Sequence, residues 1–312
     1  MTIFTTTLSQ MAFLFTLIVI GYILTKCKVV STSAAGVLAK LENNLFIPAL
    51  VLSTFSQNFT VEKLQSAWQL LLASFVLLAA AIPLSMLIAR LVTKDSYIQK
   101  IYTYGLSFSN FGFMGNAVVE ALFPDIFLEY LIFTLPLWMM IYLWGAPTLL
   151  MSDEGKQTLK SRLKAFVNPM FISMPIGILL GIFNVNLPDW TDQVISVSSS
   201  CMSPIAMLLT GITVANLDLK KTFKNGQIYV ISFARLLLIP LVFLPILYFL
   251  PISETIVICG ICSLAMPLGL NTIVIPSAYG KDTSVAAGMA IISHILSCIT
   301  IPIVILLLTK LI

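Results

Sequence analysis

Apolar runs of about twenty residues recur along the whole chain, divided by short polar stretches. They show none of the alternation of a transmembrane barrel. The pattern predicts ten membrane-spanning helices, over residues 5–25, 33–55, 66–89, 98–122, 127–150, 167–184, 190–214, 227–249, 255–279 and 284–309. Composition agrees: of 312 residues, 59% are hydrophobic and 10% charged, against roughly 45–50% and 25% for soluble domains. Mean hydropathy is +1.02. The opening MTIFTTTLSQ has no basic segment, so the first helix is expected to stay in the fold rather than leave as a signal peptide.

Two apolar runs are interrupted by residues that suit a spanning helix poorly. GLSFSNFGFMGN ends at Asn116, GICSLAMPLGLN ends at Asn271, and each begins with a glycine eleven positions earlier. Gly105 pairs with Gly260, Asn116 with Asn271, Val119 with Val274 and Pro147 with Pro302, all at an offset of 155. The IPL at 82–84 returns at 239–241, Pro48 meets Pro204, and the IG at 20–21 meets the IG at 176–177. Every helix of the first five has a partner at a nearly constant offset. Five crossings are odd in number, so the second copy must be upside down. The expected fold is all-α and integral to the membrane: ten helices in two inverted repeats, residues 1–150 and 167–312, joined by a cytoplasmic linker at 151–166.

Positive charge orients this arrangement. With the N-terminus outside, thirteen basic residues fall on the inner side (Lys26, Lys28, Arg90, Lys94, Lys100, Lys156, Lys160, Arg162, Lys164, Lys220, Lys221, Lys224 and Lys281) and only Lys63 and Lys310 on the outer. Both termini are expected on the outer face of the cell (inner) membrane. The charge of the 151–166 loop sets topology, and no nucleic-acid partner is expected.

In folds of this kind, matching interruptions mark a binding site at mid-membrane. Pro267 removes a backbone donor, and Gly112, Gly115 and Gly269 accept conformations other residues resist. Broken backbone at that depth must line a cavity or be buried in protein. Each half-helix N-terminus carries roughly +0.5 charge and each C-terminus −0.5. The second halves of helices 4 and 9 therefore offer about +1 to a carboxylate, while the first halves end in carbonyls that suit a cation. An anion, a cation or both fit this physics. Asn116 and Asn271 are expected to face one site.

The runs NFGFMGNAVVEALF, AMPLGLNTIVIPSAYGKD and LENNLFIPALVL resemble the auxin efflux carrier family along the full length, and the chain looks like one of its short bacterial permeases. The resemblance implies broken helices 4 and 9 that cross at mid-membrane. It also implies a scaffold of helices 1, 2, 6 and 7, a transport domain of helices 3–5 and 8–10, homodimers and elevator motion. It implies a small organic anion such as a carboxylate or dicarboxylate as substrate, and a site at Asn110, Met114, Gly115, Pro267, Gly269 and Asn271. Relatives often carry Gly-Ile-Pro where this chain has Gly115-Asn116-Ala117, and plant members carry proline at Thr272. The long cytoplasmic loop of the plant carriers is absent, so an auxin-specific role is not expected.

Ionisable groups inside spans need a reason, at about 2.5–3.5 kcal/mol each. Glu120 lies one turn beyond Asn116, toward the outer end of the site, as a candidate for proton or cation coupling. His294, the only histidine, suits proton exchange, although a neutral, hydrogen-bonded packing role is the plainer expectation. Glu42 and Arg235 reach similar depths and are a candidate pair between scaffold and moving domain. Asn43 and Asn44 lie near the break level, where one is a candidate to face substrate. The five cysteines form no CxxC or zinc spacing, and HExxH, GxSxG and P-loop motifs are absent. An enzyme, a metal and a cofactor are not expected beyond H⁺ or Na⁺ as coupling ion. The alternative is a Na⁺- or H⁺-coupled carrier, or a cation exchanger, of the same fold.

Overall fold

The computed structural model describes residues 3–151, 167, 169–215, 225–269, 271–278 and 281–312. The expected linker beyond Met151, with Lys156, Lys160, Arg162 and Lys164, lies outside the described residues, as do Lys220, Lys221 and Lys224. Among the described residues all regular structure is helical, since lipid leaves backbone groups no partner outside their own segment.

Helix α1 spans Ile3–Lys26. Helices α2 (Ala34–Leu41) and α3 (Ile47–Asn58) are joined by a π-helical turn, Glu42–Phe46, and α4 is Val61–Val92. Helices α5 (Ser96–Ser107) and α6 (Asn116–Leu122) are separated by an interruption that ends in a second π turn, Phe111–Gly115. Helix α7 (Phe127–Met140) runs on as π-helical Ile141–Leu150. Then come α8 (Pro169–Ile182), α9 (Asp189–Ala215) and α10 (Gly226–Phe233), which a π turn at Ala234–Leu238 joins to α11 (Ile239–Phe249). The last three are α12 (Glu254–Ala265), α13 (Asn271–Ala278) and α14 (Ser284–Leu311). Their limits fall within about five residues of the expected spans. Among the described residues, six stretches are long and apolar enough to cross a membrane: Ala34–Asn58, Val61–Val92, Pro124–Leu150, Asp189–Ala215, Gly226–Phe249 and Ser284–Leu311.

Prolines set two of the π turns. Pro48 and Pro240 have no N–H, and the helix widens just before each. Ile47 N–H reaches back five residues to Glu42 O, and Ile239 N–H to Ala234 O.

Helix α1 packs mainly on α9 and also on α14, and α3 on α8 and α9, while α4, α5, α7 and α10–α14 pack mostly on one another. Glycines let the first group approach closely. A Cβ at Gly211 would lie 2.8 Å from the Tyr22 nitrogen, and one at Gly177 would lie 2.8 Å from Phe55 Cβ. Gly21 meets the Leu208 backbone as Gly177 meets the Leu52 backbone, and both members shift by 156 positions. Lys28 and Asn184, also 156 apart, are left-handed (φ 59° and 50°) just past α1 and α8. Val29 N–H then caps Leu24 O as Val185 N–H caps Leu180 O.

The offset is not constant, however. Helices α5 and α12 are both twelve residues long and start on side-chain caps, Asp95 and Ser253, which are 158 positions apart. Helices α6 and α13 both open on asparagine, Asn116 and Asn271, 155 apart. The expected match of Gly105 with Gly260 is therefore three residues out of structural register, because the first interruption is three residues longer.

Candidate functional site

The two interruptions meet. Helix α5 ends where Phe108 turns extended (φ −118°, ψ 103°), and α12 ends where Met266 does (φ −71°, ψ 151°), as the residue before a proline prefers. Ser109 and Leu268 form an isolated antiparallel bridge. Asn110 N–H donates to Pro267 O at 2.7 Å, and Ser109 Oγ–H donates to Ser263 O at 2.6 Å. Gly269 is needed here because a Cβ on it would sit 3.0 Å from Ser109 O and 3.2 Å from Phe108 O. The first break is centred on residues 108–110, and Asn116 already belongs to a helix.

Arg235 closes the crossing from the π turn before Pro240. Its side chain is fully buried and donates to four carbonyls: Leu106 at 2.5 Å, Leu264 at 2.8 Å, Met266 at 3.1 Å and Ser263 at 3.2 Å. These oxygens belong to the C-terminal ends of both α5 and α12. Two helix C-termini carry about −1 between them, and a guanidinium, always protonated, supplies +1. Arg235 thus occupies the carbonyl ends that suit a cation. The expected pairing of Arg235 with Glu42 does not form. Glu42 is completely buried on its own π turn, and both its carboxyl oxygens lack a hydrogen-bond partner. Nothing in the structure explains this burial.

His294 also reaches the crossing. Its Nε2 lies 3.2 Å from Asn110 Nδ2, and its Nδ1 lies 2.7 Å from Ala290 O. Leu268 N–H donates to Ser293 Oγ at 3.2 Å. Thr272, buried, turns its hydroxyl back to Gly269 O at 2.7 Å.

Several buried polar atoms around the crossing have no partner: Tyr104 Oη, Ser107 Oγ, Asn110 Oδ1 and Asn116 Oδ1. Tyr104 Oη stands beside the half-exposed Asn271 amide without closing a bond of ordinary length. Asn116 lines a cavity of about 20 Å³ between α6 and α7 on one side and α3 and α8 on the other, room for about one water. Trp138 lines it too, stacked on Tyr142 (centroids 6.3 Å apart), which meets Phe171 edge-on. Trp138, Tyr142 and Phe171 thus form an aromatic cluster beside Asn116.

Other expected residues have different places. Gly112 and Gly115 are filled positions, where a Cβ would run into the Trp138 ring and the Tyr130 hydroxyl. Met114 is buried in the core. Asn43 and Asn44 are exposed, and their amides donate at 2.8 Å to Ala39 O and Lys40 O on their own helix. Glu120 is exposed on a separate cavity of about 480 Å³, where Lys63 pairs with Glu129. Sequence reasoning missed Tyr104, Ser107, Ser109 and Ser263. Their one signal was polarity inside two apolar runs.

A family model described as a membrane transport protein matches residues 6–305. No curated protein matches the chain.

Proposed function

The chain belongs to the membrane transport protein family, that of the auxin efflux carriers, and on this premise we propose that it is a secondary transporter of a small organic anion, a carboxylate or dicarboxylate. The observation that carries this reading is Arg235 seated on the carbonyl ends of α5 and α12. It neutralises the two half-helix C-termini that would otherwise attract a cation. The N-terminal ends of the second halves keep their partial charge of about +1, enough to offset one carboxylate. Unpartnered polar atoms on Tyr104, Ser107, Asn110 and Asn116 supply the site's hydrogen-bonding capacity. Together with Asn271, these residues are the proposed substrate contacts.

The wider reading has ten spans in two inverted repeats, 1–150 and 167–312. Its support is the recurrence of the same caps and glycine contacts at offsets of 155–158. The packing of α1–α3 mainly with α8 and α9, with α1 also meeting α14, supports a scaffold and a moving transport domain with elevator-type alternating access. The small cavity at Asn116 lies between these groups, where sliding would open or close it. A homodimer in the inner membrane with both termini outside completes the proposal.

Flux of dicarboxylates into proteoliposomes, with and without Na⁺, H⁺ and voltage gradients, tests this function. Saturable flux of at least one acid is expected. No flux from correctly folded protein overturns it. Strictly sodium-dependent flux favours the alternative, a Na⁺-coupled carrier of the same fold.

A further inference from the structure

The proton positions at His294 follow from its two neighbours. Ala290 O only accepts, so Nδ1, 2.7 Å away, carries the hydrogen. Nε2 is then an acceptor, and Asn110 Nδ2 donates to it at 3.2 Å. This fixes the amide. Its NH₂ is held by the histidine, and Oδ1 is left buried without a partner. In this state Asn110 and Asn116 both show bare oxygens, which repel a carboxylate.

A proton on Nε2 reverses the pair. Nε2–H can only donate, so Asn110 must turn its Oδ1 to the ring, and rotation of the amide brings NH₂ to where Oδ1 was. The crossing exchanges an acceptor for a donor and gains a positive charge in one step. The balance is simple: hydronium gives one proton to Nε2, forming an N–H bond and releasing water, and no bond between heavy atoms changes.

We propose that His294 and Asn110 form a proton-binding switch that loads one H⁺ with each carboxylate, making the proton the co-substrate of this transporter; this rests on the anion reading above. Helix α14 packs against α1, α5, α9, α10, α11, α12, α13 and the π turn Ala234–Leu238. The titratable or charged groups these elements bring to the region are Tyr22, Tyr104, Cys262 and Arg235, with Cys298 on α14 itself donating to His294 O. None of these is a carboxylate. Among the described residues, an imidazolium here has no carboxylate as counter-charge. The bound anion supplies that charge, so the proton and the carboxylate each raise the other's affinity.

As the only histidine, His294 reports on itself. The full-length protein, purified on a histidine-free tag and labelled with ¹⁵N-histidine, is titrated with malonate, malate and lactate while imidazole nitrogen shifts and melting temperature are followed. The free protein is expected to show the Nδ1–H tautomer, and an acid that raises the melting temperature is expected to convert it to imidazolium at the same pH. Affinity is expected to rise about tenfold per unit fall in pH between the free and bound titrations. His294→Gln removes that slope, and Asn110→Ala removes the ligand-induced protonation. An acid that binds while His294 stays neutral, or a free protein in the Nε2–H form, overturns the switch and leaves the anion reading intact. If no acid shifts the melting temperature or crosses the membrane, the anion reading itself falls and the switch falls with it.

Discussion

The first interruption takes eight residues, 108–115, and the second takes five, 266–270. The shorter one is built from backbone. Pro267 holds Met266 extended, and Gly269 lets the Ser109 strand approach to the limit of contact. The longer one has no proline and is built from side chains. A π turn absorbs the extra residues, Trp138 and Tyr130 fill the space at Gly112 and Gly115, and Tyr130 Oη–H donates to Phe111 O at 3.1 Å. Apart from Tyr130, the polar side chains that serve the crossing from outside it come from the second half: Arg235, Ser293 and His294. The positions matching Arg235 and His294 in the first half hold Leu78 and Met139. Near-symmetric backbone thus carries asymmetric chemistry, and the short interruption is the rigid partner.

The sharpest break of this comparison is Arg235→Met. It leaves four buried carbonyls without their donor and is expected to destabilise the protein by on the order of 3 kcal/mol or more. Arg235→Lys keeps the charge but not the fork, and should fall between. Thermal unfolding in detergent measures both, and a loss below about 1 kcal/mol for the methionine variant contradicts the capping role.

Next in size is Gly269→Ala, at roughly 1–3 kcal/mol, because the obstacle is backbone that has nowhere to go. Gly112→Ala meets a tryptophan side chain instead, and should cost less. Equal losses in the same unfolding assay would remove the distinction between a rigid and a yielding interruption.

Asn116→Ala and Asn271→Ala come third. Each should change stability by under about 1 kcal/mol yet weaken carboxylate binding about tenfold, or about 1.4 kcal/mol, read by titration calorimetry. If both variants bind normally, the site is elsewhere.

The smallest effect is at the separate cavity beside Glu120. Lys63→Met breaks the Lys63–Glu129 pair, at a cost of about 0–1 kcal/mol, and should leave binding at the crossing unchanged in the same titration.

Much of this was legible in the sequence because it is written in local pattern. Hydrophobic run length placed the described helices, Gly269 and Pro267 marked the second break, and the paired asparagines marked where α6 and α13 begin. Less visible was anything held by the backbone of distant residues. Arg235 bonds only carbonyl oxygens, which every residue type carries, so no complementary side chain pointed to its partners. An acidic mate at similar depth, Glu42, was the natural guess, and the structure leaves it unpaired. The Asn110–His294 contact joins residues 184 positions apart whose repeat counterparts are not both polar. Symmetry therefore gave no hint of it. The three-residue change in offset was hidden because Gly105 and Gly260 coincide by type at 155, while the helices that hold them correspond at 158.

A crossing with Arg235 as its fixed cation is expected to bind a carboxylate without help from sodium. Titration calorimetry of malonate, malate and lactate into purified full-length protein, in sodium-free and sodium-containing buffer, tests it most directly. The expected result is saturable binding of at least one acid, with the same affinity in both buffers. Binding that appears only when sodium is added, or no binding by folded protein in either buffer, contradicts it.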